Sequence, residues 1–327
     1  MESPLSRRQL FAAAGAAALA HASTASAGEP KQTDLASALD KGLIAAATKE
    51  LRYCLNMSTI RGQKLPVPEQ VEIAAKAGYD AIEPWMGELH QYVAGGGSAA
   101  DLKKRIADAG LTVESAIGFA EWIVDDETRR AAGLEQAKKD MELLRSIGGT
   151  RIAAPPSGAT NQADLNLLKA AERYRSLLEL GDRLGITPQV EVWGFSKCLS
   201  RLGETALVAI EARHPRACIL PDVYHLYKGG SEFAALRMLS GQAVHVFHMN
   251  DYPADPPRDK IADKDRVYPG EGIAPLAQIL RDLIAAGFRG VLSLELFNPE
   301  YWKQDPLTVA TTGLAKMKAM VAKAAEG

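Results

Sequence analysis

Pro188-Gln-Val-Glu191-Val-Trp193, Ala217-Cys-Ile-Leu-Pro-Asp222, Ala243-Val-His-Val-Phe-His248-Met-Asn250 and Gly290-Val-Leu-Ser-Leu-Glu295-Leu-Phe297 are four short apolar runs. Each carries an acid or an imidazole near its C-terminal end. Runs of this length bounded by Gly and Pro read as buried strands, and helical periodicity separates them. Working outward, the same alternation fills the chain. Strands are expected at Leu51–Met57, Ala81–Pro84, Leu111–Gly118 and Arg151–Ala154, ahead of the four just quoted. Helices are expected over 67–77, 99–109, 127–147, 163–184, 204–213, 231–240, 273–286 and 307–325. Several helices stop at glycine, among them at Gly78, Gly110 and Gly185, and an apolar strand follows at once. Eight strands alternating with eight helices predict an α/β chain folded as one (β/α)₈ TIM barrel domain over 50–327.

In such a barrel the C-terminal strand ends form the active face. Glu191, Asp222, His248 and Glu295 then converge at one mouth. Each carboxylate is flanked by apolar residues, and burying it ionised is costly unless a cation or a proton compensates. A divalent metal is the economical explanation. Three carboxylates and one imidazole suit Mn²⁺, Mg²⁺ or Co²⁺, with Zn²⁺ a less fitting choice.

Residues 1–27 stand apart. Arg7-Arg8, an Ala-rich apolar run and Ala25-Ser-Ala27 describe a Tat export signal, and the run is too short to span a bilayer. Export to the periplasm is therefore expected, with no membrane attachment after cleavage. Residues 28–49 read as a tether or a short extra helix. Without the leader the chain has 36 basic and 39 acidic residues, so nothing favours a nucleic-acid partner. Cys54, Cys198 and Cys218 match no zinc or redox spacing and read as buried thiols. A homo-oligomer is compatible with this composition.

Glu191-Val-Trp-Gly, Asp222-Val-Tyr-His225-Leu, His248-Met-Asn-Asp251, Pro269-Gly-Glu-Gly272 and Leu294-Glu295-Leu together resemble the xylose-isomerase-like TIM-barrel superfamily, the sugar phosphate isomerase/epimerase group. The resemblance covers about residues 50 to 325. It implies that Glu191, Asp222, His248 and Glu295 hold the metal and that the two glutamates move protons. It also implies that His225 and a loop arginine, Arg258 or Arg266, touch a small carbohydrate substrate. The implied chemistry is removal of a proton beside a carbonyl, with the metal as Lewis acid. Ketose 3-epimerases of this group carry another Glu six residues after the strand-five ligand, where this chain has Lys197. Lys197 is thus a candidate substrate contact and puts free-ketose epimerisation in question.

The expected function is a metal-dependent sugar isomerase or epimerase. The alternative is a keto-sugar or 3-keto-glycoside lyase or hydratase using the same enolisation. A non-catalytic exported sugar-binding protein is a third reading. A histidine-rich three-metal nuclease site is excluded by the five histidines left after the leader. Trp193, Trp85 and Trp122 are candidates to stack on a sugar ring or to serve as loop packing, and Glu83 is expected to face the mouth as a substrate contact or an ion-pair partner. His90 is placed in a loop after strand two. His245 is read as structural and His214 as a surface residue.

Overall fold

A computed structural model describes residues 42–326 of the chain. The predicted leader and the start of the tether lie outside them. Residues 42–47 of the tether form a helix, α1, whose Ile44 and Ala47 are buried against the core.

The strands are β1 (Arg52–Asn56), β2 (Ala81–Glu83), β3 (Thr112–Val113), β4 (Arg151–Ala154), β5 (Thr187–Glu191), β6 (Ile219–Leu220), β7 (Val246–Met249) and β8 (Val291–Leu294). The helices are α2 (Val67–Ala77), α3 (Met86–Ala94), α4 (Ala99–Asp108), α5 (Glu127–Ser146), α6 (Leu167–Leu184), α7 (Leu202–Glu211), α8 (Val223–Gly229), α9 (Leu276–Ala285), α10 (Pro299–Trp302) and α11 (Pro306–Glu326).

All strand pairs are parallel, in the orders β3-β2-β1-β8-β7 and β4-β5-β6. Two seams join these arcs. At one, Ala153 N–H donates to Ala116 O at 2.8 Å. At the other, Asp222 bridges His248 and the His248 N–H donates to Pro221 O at 3.0 Å. The ring is therefore closed, and the fold is the (β/α)₈ TIM barrel that the alternation predicted. Small and apolar side chains fill its floor: Cys54, Ala81, Ile117, Ala153, Leu220, Val246 and Val291. Gly78 and Gly185 end α2 and α6 in the left-handed region, at φ 89° and 71°, as a glycine stop requires. All three cysteines are buried and free.

Three elements differ from expectation. The third strand keeps only Thr112–Val113, because its regular pairing breaks after Glu114 and resumes as a single bridge between Ile117 and Trp85. The helix expected over 231–240 is instead α8, which starts directly after Asp222, with a 3-10 turn at Phe233–Met238 behind it. The cause is Asp222 itself, whose side chain caps α8 by accepting the His225 N–H at 2.8 Å. His90 lies within α3 and bonds Asp140 at 2.7 Å. His214 is tucked beneath Asp182 at 3.1 Å, its side chain 7% exposed, so it is not a surface residue.

Candidate metal centre

Strand periodicity of two points alternate side chains into the barrel. From β1, β2, β7 and β8 it delivers Asn56, Glu83, His248 and Ser293 to one interior layer, each with no exposed surface. Above it, the strand ends bring Asp222, His248 and Glu295 together, one ligand atom from each lying within 4.8 Å of the others. Glu191 is buried on the wall of the same cavity but stands outside that three-residue cluster.

Asp222 serves two structures at once. Its Oδ1 caps α8, while its Oδ2 accepts from Asn250 Nδ2 at 2.8 Å and from Arg266 Nη1 at 3.0 Å. Asn250 also accepts the Tyr224 N–H at 2.9 Å, which ties β7 to α8. His248 is clamped from below. Its Nε2 is 3.0 Å from Glu83 Oε2, which also accepts from Asn56 Nδ2 at 3.0 Å and from Ser293 Oγ at 2.7 Å. That clamp leaves His248 Nδ1 facing the cluster, buried without an aligned hydrogen bond, 3.2 Å from Glu295 Oε2 and 3.8 Å from Asp222 Oδ2. An imidazole nitrogen without an aligned hydrogen bond, aimed between two carboxylates, has the chemistry to ligate a metal, and Glu83 is the partner that would orient it.

Arg266 arrives from the loop after β7. Asp251 builds that loop by accepting the backbone N–H groups of Tyr252, Gly270, Gly272 and Ala274 at 2.8–3.1 Å. A Cβ at Gly272 would run into Tyr252 O and Asp251 Oδ1, so the second glycine of Gly270-Glu-Gly272 is required there. The buried Arg266 guanidinium bonds Asp222 Oδ2 at 3.0 Å, Glu295 Oε2 at 2.8 Å and Asp263 Oδ1 at 2.5 Å. Its Nη2 donates to His225 Nε2 at 3.1 Å, which assigns the His225 proton to Nδ1, a buried atom with no partner of its own.

Five carboxyls (Glu83, Glu191, Asp222, Asp263 and Glu295) thus gather around two groups able to carry positive charge, Arg266 and His248. Their protonation states diverge. Burial drives the Glu191 carboxyl well above the usual carboxylate range, and repulsion from Glu295 and Asp222 adds to the rise against the pull of His248. Burial also acts on Glu295, but His248 and Arg266 overcome it and hold Glu295 ionised. Burial opposes the charged form of His248, yet Glu295 and Glu83 outweigh it and favour the imidazolium. His225 goes the other way, neutral because it is buried and faces Arg266.

The cavity above these groups holds about 220 Å³. Trp193 is half-buried in its wall, with its ring 5.0 Å from Phe195 and 6.1 Å from Phe119. Three predicted contacts fall elsewhere. Glu83 takes its ion-pair reading and not the substrate contact, because it is fully buried beneath His248 with its Oε2 3.0 Å from the ring. Lys197 is exposed and absent from the cavity wall, since its loop turns outward after Trp193 and binds Thr160 O through the Lys197 N–H at 2.7 Å. Arg258 is also exposed and off the wall, lying near Gly230. Sequence reading passed over Asn56, Asn250 and Asp263. Alternation from His248 could have found Asn250, two residues on; nothing local distinguishes Asp263 from the other loop acids.

The profile of the family described as "Xylose isomerase-like TIM barrel" matches residues 71–320. Among curated relatives, the inosose isomerase of Bacillus velezensis is 26% identical, covering 84% of this chain and 98% of its own. The 3-dehydroshikimate dehydratase of Pseudomonas putida is 25% identical, covering 77% of this chain and 39% of its own length. Among solved structures, the IolI protein with a bound zinc atom superposes with a TM-score of 0.78 at 22% identity, covering 84% of this chain and 99% of its own.

Proposed function

The chain belongs to the xylose isomerase-like TIM barrel family, and from that premise we propose a divalent-metal-dependent enzyme that enolises a neutral keto sugar. The observation that carries this reading is the unpartnered His248 Nδ1 between Asp222 and Glu295, at the mouth of a barrel whose site carries excess carboxyl charge. Asp222, His248, Glu295 and, from the cavity wall, Glu191 are the proposed ligands. A bound divalent ion would supply Lewis acidity toward the substrate carbonyl and its neighbouring hydroxyl.

The protein's own groups divide the remaining work. Glu295, held ionised by His248 and Arg266, takes the proton from the carbon beside the carbonyl. Glu191, which gives up its burial-favoured proton to ligate the metal, is the carboxylate on the other side of the cavity through which a proton from solvent or a substrate hydroxyl returns to carbon. The His225 Nδ1–H is the free donor for the oxygen on which negative charge grows, a contact worth roughly 3 kcal/mol in comparable sites. Arg266 fixes Asp222, Glu295 and His225 in one frame, and the aromatic wall excludes water. Proton return to carbon makes the enzyme an isomerase or epimerase, as in the inosose isomerase. The same proton given to a leaving oxygen makes it a lyase, and the likeness to a dehydratase favours keeping that second outcome.

The oxygen-rich donor set fits Mn²⁺, Mg²⁺ or Co²⁺. Zn²⁺, present in the related IolI structure, belongs in the same metal panel. Residues 1–27 as a Tat leader, export to the periplasm and a barrel domain beginning at residue 50 complete the proposal. N-terminal sequencing of protein recovered from cell fractions tests them. The decisive catalytic test is deuterium uptake from solvent at the carbon beside the carbonyl, with each metal and a panel of ketoses and 3-keto-glycosides. Uptake that needs metal is expected. Metal-independent uptake, or none with any ketone, would sink the reading. Product analysis then separates a new epimer from loss of water or aglycone.

A further inference from the structure

At about 220 Å³ the catalytic cavity falls below the roughly 300–1,000 Å³ usual for a ligand site, and it has room for one small ring. It does not end there. Trp85 and Phe119 line both this cavity and a neighbouring groove of about 670 Å³ between the segment before α2 and helix α3. The two spaces share one aromatic wall. Trp85 is fixed in it by its indole N–H, which donates to Asn56 Oδ1 at 3.1 Å, and its ring lies 5.3 Å from that of Phe119. Phe119 is 44% exposed and, with Phe195 at 45%, makes an exposed aromatic rim around the cavity.

Charge selects the kind of occupant. Among the described residues Arg266 is the one cation on the cavity wall, and three carboxylates already bind it, so no phosphate site remains there. In the groove, Arg61 lies 4.1 Å over the Trp85 ring and pairs with Glu88 at 3.2 Å. Lys64 is at the exposed rim. With one face of Trp85 taken by Arg61, what the groove offers is the rings of Phe119 and Tyr92, edged by hydrogen-bonding side chains such as Gln91 and Arg61. Aromatic faces bordered by amide and guanidinium groups suit a sugar ring, which has apolar C–H faces and a hydroxyl rim.

We infer that the substrate has two rings: a keto ring over Glu191 and Glu295, and a neutral sugar joined to it that crosses Phe119 into the groove beside Tyr92. This rests on the enolisation reading for the first ring, and the second ring is its own addition.

Gly87 gives a clean probe. It is an exposed residue of α3 on the groove wall, and a Cβ there meets nothing within 4 Å, so Gly87→Trp narrows the groove without strain in the fold. Metal-loaded protein carrying His225→Asn, which removes the proposed oxyanion donor but keeps every proposed metal ligand, is titrated by calorimetry. The ligands are 3-keto-glucose, a 3-keto-disaccharide of glucose and phenyl 3-keto-glucoside. The disaccharide is expected to bind roughly ten-fold tighter than the single ring, the affinity of one stacked and hydrogen-bonded ring. Adding Gly87→Trp or Phe119→Ala is expected to bring that ratio close to one. Equal affinity for one and two rings, or a ratio that neither substitution moves, overturns the inference. Tighter binding of the phenyl glycoside than of the disaccharide overturns the assignment of a sugar. The two readings fail separately. A persistent two-ring preference without deuterium uptake defeats only the catalytic one, and uptake without the preference defeats only this one.

Discussion

The two ends of the barrel are both rich in charge, and they use it in opposite ways. At the N-terminal end a recess of about 800 Å³ is lined by Arg52, Arg151, Arg216 and Arg289. Every one of them has an acid. Glu114 holds Arg52 and, at 3.3 Å, Arg151; Asp182 holds Arg216 and Glu50 holds Arg289, each at 3.2 Å. Even His245, on that rim, is kept neutral by burial and by Arg151, its pKa pushed down to about 4. The C-terminal end has the smaller cavity, an excess of carboxyls, and buried His225 and His248 nitrogens without partners. Volume alone would have chosen the wrong end. Burial separates the two ends: the arginines of the N-terminal recess are partly exposed and share their charge with water, whereas Asp222, His248, Arg266 and Glu295 are buried together, where unmatched polar groups are costly and point to a functional site.

The sharpest way to break this contrast is to neutralise the carboxyls that differ in protonation. Glu191→Gln and Glu295→Gln are each expected to lower turnover about 10²–10⁴-fold, the span of lost general acid or base catalysis. Steady-state rates at saturating metal check this, and near-normal activity in both would remove the metal assignment. One layer down, Glu83→Gln should weaken metal binding about 10–100-fold by freeing the His248 ring, read by direct metal titration. If affinity holds, Glu83 is only a floor contact.

Proton release sharpens the same point. Without metal, His248 favours the imidazolium and Glu191 the neutral carboxyl, and both must give up a proton to become ligands. Metal affinity should therefore rise with pH, and buffer-dependent calorimetry should detect protons leaving on binding. A pH-independent affinity would mean that neither residue ligates. At the other end, Arg151→Met should change stability by at most about 1 kcal/mol, since Arg151 is a partly exposed ion-pair partner, and should leave the metal titration in place. A large shift in metal affinity from that substitution would erase the distinction between the ends.

Much of this site could be read along the chain because barrel strands obey a strict rule. A period of two and a fixed active face place Glu191, Asp222, His248 and Glu295 by position alone. Lys197 and Arg258 were misplaced because loops obey no such rule. Lys197 lies on the outward part of the turn after β5, and Asp251 folds the loop after β7 so that Arg266 enters the site beside Asp263 while Arg258 stays out. The placement of α8 was missed for a related reason. An aspartate at a strand end can be a ligand, a helix cap or both, and Asp222 is both.

The sequence by itself determined the barrel and the strand ends that carry its acids, since hydrophobic period and glycine stops are local properties. Only the tertiary structure decided that Glu83 lies under His248, that Arg266 closes the site, and that Trp85 and Phe119 join two cavities. Those contacts link residues far apart in the chain, and their geometry depends on ring closure, strand stagger and loop packing, none of which a short stretch of residues encodes.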